Sequence, residues 1–251
     1  VDPLGDFEII TTELMLKDLE SVAKRKTKIE QLLKAARANP QQLRELEKER
    51  ELVAKLEKAL NDNDGDSARA LTEELGSFGS DYLSGKRFLI IANLSESEIS
   101  GDYVQNPHYQ ALIKKFGSDR VIPVSAKLEA ELSVLSHDEA LEMAAMMGLE
   151  SRGIDRIITA AYKALGLITF FTCGPKEIHA WTVPAGVTIK TAAGEIHSDL
   201  ERGFICAEVF SAYDLLALGS EARLKDQGKV RTEGQTYLIQ DGDIINVRFS
   251  V

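Results

Sequence analysis

Arg87-Phe88-Leu89-Ile90-Ile91-Ala92-Asn93-Leu94-Ser95-Glu96 is an apolar run of strand length that ends abruptly in Asn-x-x-Glu. Such a run, bounded by polar residues, reads as a strand of a buried sheet. In open α/β sheets, ligands bind just beyond the carboxyl ends of the strands. An amide and a carboxylate placed at such a tip can read the edge of a purine base by hydrogen bonds.

A second apolar strand, Val121-Ile122-Pro123-Val124, ends in Ser125-Ala126-Lys127. Between the two runs, Asn106-Pro107 opens a helical segment that Gly117 stops. Strand, helix, strand is a βαβ unit, so the two strands are expected to be parallel with a right-handed crossover. The chain then reads as helical from Lys127 through Met147. A further amphipathic helix, carrying Ile154, Ile157, Ile158, Ala161, Tyr162 and Leu165, stops at Gly166.

Upstream, Phe7 to Ala36 has a helical pattern, with Ile10, Leu14, Val22, Ile29, Leu32, Leu33 and Ala36 as its apolar seam. Thr11 or Thr12 is the expected cap, with Glu13 in the first turn. Asn39-Pro40 breaks the helix, and a second one carries Leu43, Leu46, Leu52, Val53, Leu56 and Leu60. Two such helices joined by a short break predict an antiparallel coiled-coil arm. The charges between the seams read as solvated faces; the alternative is that Lys24, Arg25, Lys26 and Lys28 meet an acidic partner. Asn61-Asp62-Asn63-Asp64-Gly65-Asp66 resembles a calcium loop, but counting from Asn61 puts Thr72 where the bidentate Glu belongs, so no calcium is expected. A short helix near Ser67 to Leu75 returns the chain to the first strand.

Beyond Gly166 the texture changes to short strands at Leu167–Cys173, Glu177–Val183, Phe204–Val209, Tyr237–Gln240 and Ile244–Val251. Gly174-Pro175-Lys176 and Asp241-Gly242-Asp243 supply turns. A small mixed sheet of ubiquitin-like β-grasp type is expected. Lys176, Lys190, Lys225, Lys229, Arg231 and Arg248 surround it, with Phe170, Phe171, Trp181 and Tyr237 nearby. Such a face can stack single-stranded RNA; the alternative is that the aromatics are core and the cations solvated.

The 251 residues carry a net charge of -10 and 44% hydrophobic residues, the composition of a soluble globular protein rather than of a general nucleic-acid binder. No apolar stretch reaches membrane-spanning length. Cys173 and Cys206 make neither a disulfide framework nor a metal site and read as free thiols of a reducing cytosol. His108, His137, His179 and His197 lack metal-ligand spacing; His197 reads as a hydrogen-bonding group in a turn.

The chemistry gathers at the two strand tips. Guanine-specific GTPases carry Asn-Lys-x-Asp and Ser-Ala-Lys there. Here Leu94 fills the Lys slot and Glu96 the Asp slot. The Asp accepts hydrogen bonds from guanine N1 and N2. Glu is one methylene longer and displaces that geometry, which costs selectivity for guanine. Leu94 can cover a base face. The Asn93 amide can engage N7 or an exocyclic amine, and Ser125-Ala126-Lys127 can present a backbone N–H. The plainer alternative is that Asn93 caps a turn and Ser125 caps the next helix.

These residues resemble the YchF or Obg-like ATPase subfamily of the Obg-type P-loop GTPases. The resemblance is carried by Asp2-Pro3, Thr12-Glu13-Leu14, Lys17-Asp18-Leu19 and the Ala92–Glu96 tip. It is carried most specifically by Phe170-Phe171-Thr172, Lys176-Glu177, Ala180-Trp181-Thr182, Ala192-Ala193-Gly194-x-Ile196-His197-x-Asp199, Gly203-Phe204-Ile205 and Asp241-Gly242-Asp243. It implies an α/β chain. Residues 1–22 and 83–166 would be the later part of a P-loop nucleotide domain with a parallel sheet, 23–82 an inserted coiled-coil arm, and 167–251 a TGS domain. It also implies a cytoplasmic, ribosome-associated protein acting in translation or stress regulation. In its complete form such a protein binds and hydrolyses ATP, and GTP less well, with Mg²⁺ at the phosphates. Ribosome or ribosomal RNA is the implied partner, with neither membrane nor DNA. The other reading is an RNA- or ribosome-binding module without catalysis of its own. The phosphate-binding loop and switch segments are expected to precede Val1, and the missing initiator Met fits that expectation. Under this reading the base-binding set is Asn93, Leu94, Glu96, Ser125, Ala126 and Lys127, and no catalytic or metal-binding residue falls within the chain.

Overall fold

The computed structural model describes residues 2–36, 39–174 and 177–250. They form two compact units, Val1–Glu150 and Ser151–Val251.

The first unit opens with α1 (Pro3–Ala35). Asp2 caps it, accepting the Gly5 N–H at 3.1 Å, and Pro3 sits at the first helical position, where a missing N–H costs nothing. The helix therefore starts well before the expected Thr caps. The Thr11 and Thr12 hydroxyls donate back to the Phe7 and Glu8 carbonyls, both at 2.8 Å, as interior threonines do. Asn39 caps α2 (Pro40–Asn61). The helices run back along one another, with Arg25 on Glu49 at 2.5 Å and Lys26 on Glu57 at 2.6 Å. The acidic partner of these two cations is thus α2 itself.

The seam is Met15, Val22 and Ile29, spaced by sevens, against Leu52, Val53, Leu56, Ala59 and Leu60. Ile10 and Leu14, expected in it, are 57% and 36% exposed. Leu14 lies one residue, hence about 100°, round the helix from Met15.

Asp64 caps α3 (Gly65–Glu74), which a 3₁₀ turn at Gly76–Asp81 follows. The first strand, β1 (Ile90–Asn93), is shorter than the run from Arg87 suggested. After it come α4 (Glu96–Ile99), α5 (Pro107–Phe116) and β2 (Val121–Val124). Asn106 caps α5 through the His108 and Tyr109 N–H groups, and Gly117 ends it at φ 83°, where L side chains are strained. β1 and β2 pair in parallel, Ile90 opposite Val121 and Asn93 opposite Val124, as the βαβ reading required.

The continuous helix expected after Lys127 is instead α6 (Ala126–Leu132) and α7 (His137–Met146). Ser136 and Glu139 form a capping box that starts the second one.

In the second unit, α8 (Gly153–Leu165) ends on left-handed Gly166. There follow β3 (Leu167–Cys173), β4 (Ile178–Pro184), α9 (Ile189–Ile196), α10 (Ser198–Arg202), β5 (Phe204–Ser211), α11 (Ala212–Leu218), α12 (Glu221–Asp226), β6 (Arg231–Glu233) and β7 (Asp243–Phe249). The sheet order is β4-β3-β7-β5-β6, with β3 and β7 parallel and the other pairs antiparallel. One face packs Phe170, Val183, Ala207, Val209 and Ile245 on Ile189 and Ala192 of α9.

The expected strand at Tyr237–Gln240 makes only the single bridge Thr188–Leu238. The edge place beside β5 goes to β6, three residues too polar to read as a strand. Asp241-Gly242-Asp243 is a turn, as expected. Asp241 accepts the Thr169 N–H at 2.8 Å, and Gly242, at φ 81°, donates to the Thr169 carbonyl at 2.8 Å. Pro175, Lys176 and Val251, named above in a turn and a strand, lie outside the described residues.

Candidate base-recognition site

The parallel pairing brings both sequence-identified tips to the same end of β1 and β2. Leu94 extends the ladder, donating its N–H to the Val124 carbonyl at 2.8 Å. Beyond it the chain must turn, and Ser95 and Glu98 make it do so. Ser95 N–H donates to Glu98 Oε2 at 2.9 Å, and Glu98 N–H donates to Ser95 Oγ at 3.3 Å. This capping box places Glu96 at the first position of α4. Glu98 also takes the Asn106 amide at 3.0 Å, which ties the tip to the start of α5. Hydrogen bonds from the Ser95 hydroxyl and N–H hold the Glu98 carboxyl below the usual carboxylate range. The Ser-x-x-Glu spacing carried this signal, and the strand-tip reading passed over it.

Two contacts bind one tip to the other. Asn93 Oδ1 accepts the Ala126 N–H at 3.0 Å, and Lys127 Nζ donates to Glu96 Oε2 at 3.0 Å. The Ala126 N–H, expected to face a base, is therefore engaged by Asn93. With its oxygen engaged, exposed Asn93 has its amide nitrogen, a donor, left to offer a ligand. The Lys127 pKa is raised, first by the hydrogen bond to Glu96, then by the charges of Glu96 and Glu131. Leu94 is half-buried and packs toward Ile99, Leu128 and Leu132. Ser125 occupies the N-cap position of α6 but makes no capping bond. Its hydroxyl is buried without a hydrogen-bond partner. Ser125 thus caps nothing, and it is Asn93 that satisfies an N–H of the first turn of α6, so part of the plainer structural alternative is met by Asn93.

The cations of the second unit are largely engaged within it. Lys229 pairs with Asp214, Arg248 with Glu208 at 2.5 Å, and Arg231 donates to the Tyr237 hydroxyl at 3.0 Å. Phe170 is core, and half-buried Trp181 donates to Thr172 Oγ1 at 3.0 Å. His197 caps α10, its Nδ1 accepting the Asp199 N–H at 3.1 Å. Cys173 and Cys206 are free thiols. Among the described residues no helix is long and apolar enough to cross a membrane, and no group of His, Cys, Asp or Glu is placed to hold a metal ion.

A helical unit with a parallel βαβ, followed by a β-rich mixed-sheet unit, is the class this architecture defines. Residues 167–250 match the family model of the YchF GTPase C-terminal domain, described as a protein of unknown function (DUF933). The whole chain is 39% identical over 256 residues to the ribosome-binding ATPase YchF of Bacillus subtilis, covering 68% of that protein. It is also 39% identical over 260 residues to Obg-like ATPase 1 of Oryza sativa subsp. japonica, covering 63% of it. The YchF GTPase of Schizosaccharomyces pombe superposes with a TM-score of 0.79 at 28% identity, over 99% of this chain and 66% of that one. The chain belongs to the YchF/Obg-like ATPase family and carries its C-terminal TGS-type domain. It spans about two thirds of the length of these relatives.

Proposed function

We propose that the strand tips read the base of ATP, and that this chain works within a ribosome-associated ATPase of the cytoplasm that acts in translation or stress regulation. The carrying observation is the pair of cross-tip contacts, Asn93 to Ala126 and Glu96 to Lys127. They hold an amide donor, a carboxylate and an ammonium at the carboxyl end of a parallel sheet, where α/β ligand sites lie. The Asn93 amide nitrogen suits N7, an acceptor that both purines carry. Leu94 supplies apolar cover and no charge, and Glu96 stands where a guanine reader would place Asp. GTP is accordingly the weaker ligand. The names of the relatives, ribosome-binding ATPase and Obg-like ATPase, support the ATP and ribosome assignments.

The domain limits we assign are residues 1–22 and 83–166 for the nucleotide domain, 23–82 for the coiled-coil arm and 167–251 for the β-grasp TGS domain. The described residues supply donors and an acceptor for a base but no ligand set for Mg²⁺ or the triphosphate. The sequence has no Gly-x-x-x-x-Gly-Lys-Ser/Thr, and no described cluster of ligating side chains exists. No hydrolytic step is therefore assigned to these residues.

Nucleotide titration of the full-length protein tests the base site. Asn93→Ala, which removes both the donor and the clamp on Ala126, is expected to weaken ATP binding at least about tenfold, one hydrogen bond's worth. Unchanged affinity refutes the site. Co-sedimentation with ribosomes tests the partner, and a protein that stays in the supernatant at low salt refutes it.

A further inference from the structure

We infer that Lys127, through its ion pair with Glu96, is the residue that turns this purine site away from guanine. This deepens the base-site reading above and rests on it. Glu96 begins α4, Lys127 lies in the first turn of α6, and their side chains meet at 3.0 Å across the gap between the tips. Glu131, one turn along α6, stands 3.9 Å from the same ammonium.

The edges of the two purines differ in what they ask of this pair. Guanine presents N1–H and its 2-amino group side by side, two donors that call for two acceptors. A carboxylate with both oxygens open would supply them. Here Oε2 already holds an ammonium, and an ammonium carries donors only. It sets like against like before guanine's N1–H and 2-amino group. Adenine has an unprotonated N1 and no 2-amino group. One acceptor and one donor, the open carboxylate oxygen and the lysine, complement its 6-amino group and N1. Asn93 does not discriminate, because its amide nitrogen meets N7 in either purine. Discrimination therefore falls to the Glu96–Lys127 pair, in which Lys127 positions and neutralises the carboxylate.

The side chains of Lys127 and Glu96 are 72% and 32% exposed. Such a pair adds little to folding stability, so the variants that break it keep the fold.

The test is competition binding of ATP and GTP to the full-length protein. Lys127→Met is expected to strengthen GTP binding and lower the ATP:GTP affinity ratio about tenfold, the value of one recovered hydrogen bond. Lys127→Arg keeps the charge and is expected to keep the ratio. With Glu96→Gln already present, Lys127→Met is expected to change the ratio no further, as coupled residues require. An unchanged ratio in Lys127→Met, in a protein whose ATP binding still falls with Asn93→Ala, overturns the role of Lys127 alone. A fall in ratio produced only by weaker ATP binding overturns it as well. If Asn93→Ala weakens neither nucleotide, the base site itself is refuted, and the role of Lys127 falls with it.

Discussion

Asp18 and Ser84 lie 66 positions apart in sequence, and Asp18 Oδ2 accepts the Ser84 backbone N–H at 2.7 Å. The other carboxylate oxygen accepts the Leu83 N–H at 2.8 Å, and the residue is 1% exposed. Charge-assisted bonds of this kind are the strong ones, and these two fasten the chain returning from α3 onto α1. Asp18→Ala leaves two N–H groups without an acceptor and is expected to cost about 3 kcal/mol; Asp18→Asn keeps one acceptor and costs about half as much. Urea unfolding of the three proteins measures the order. Equal stabilities would show that water satisfies both N–H groups.

Gly79 marks the other constraint on this return. A Cβ there would lie 1.8 Å from the Thr72 carbonyl oxygen and 2.7 Å from its carbon, backbone atoms that cannot swing aside. Gly76, three residues earlier, has φ +60° and nothing within 4 Å of an added Cβ. Overpacking on backbone costs about 3 kcal/mol or more, and a left-handed residue with free space about 1 kcal/mol. Gly79→Ala is therefore expected to lower the unfolding midpoint well beyond Gly76→Ala, although only Gly76 has the unusual dihedral. The reverse order in thermal melts would show that the 3₁₀ turn shifts freely off α3.

Asp18 marks a limit on what local sequence pattern carries. The helices, the βαβ unit and both strand tips were legible because period, caps and turn residues act locally, as with Asn106 and Gly117. Asp18 was not, because a carboxylate in a helix reads as solvated unless its acceptors' partners are known, and these come from backbone N–H groups 65 and 66 positions away. The choice of Met15 over Leu14 for the seam needs the position of α2. The edge strand β6 has too little apolar content to show, whereas Tyr237–Gln240 has enough to mislead. At the site, the residue types were legible and their mutual bonds were not. That the Ala126 N–H is already held by Asn93 depends on the register of β1 on β2.

Tyr82 is buried beside the Arg25–Glu49 pair, and its phenol pKa is raised above the ordinary value of 10, chiefly by burial. The charge of Arg25 opposes this, and those of Glu49, Asp18 and Asp81 add to it. A raised folded pKa means that the unfolded chain gives up this proton first. The stability contribution is thus fully present below pH 10 and is lost as the pH rises through the folded value. Tyr82→Phe has no proton to lose. Its stability is expected to fall less steeply than that of the parent protein as the pH rises above 10 in denaturant titrations. Parallel slopes would mean that the phenol is hydrated in the folded state.

Leu94 and Glu96 set the last prediction. Replacing Leu94 with Lys and Glu96 with Asp restores the pair found in guanine readers. Leu94 is only half-buried against Ile99, Leu128 and Leu132. A lysine stem can keep part of that cover while its ammonium reaches water, so the fold should tolerate the change. Asp is one methylene shorter than Glu, which draws the carboxylate back from the Lys127 ammonium that it now meets at 3.0 Å. The freed oxygens can then accept guanine's N1–H and 2-amino donors together. A site built to hydrogen-bond particular donors discriminates strongly against ligands that lack them. The double variant Leu94→Lys/Glu96→Asp is expected to move the ATP:GTP affinity ratio of the full-length protein toward GTP by at least about tenfold, one hydrogen bond's difference. A ratio identical to that of the parent protein would remove Glu96 from base recognition.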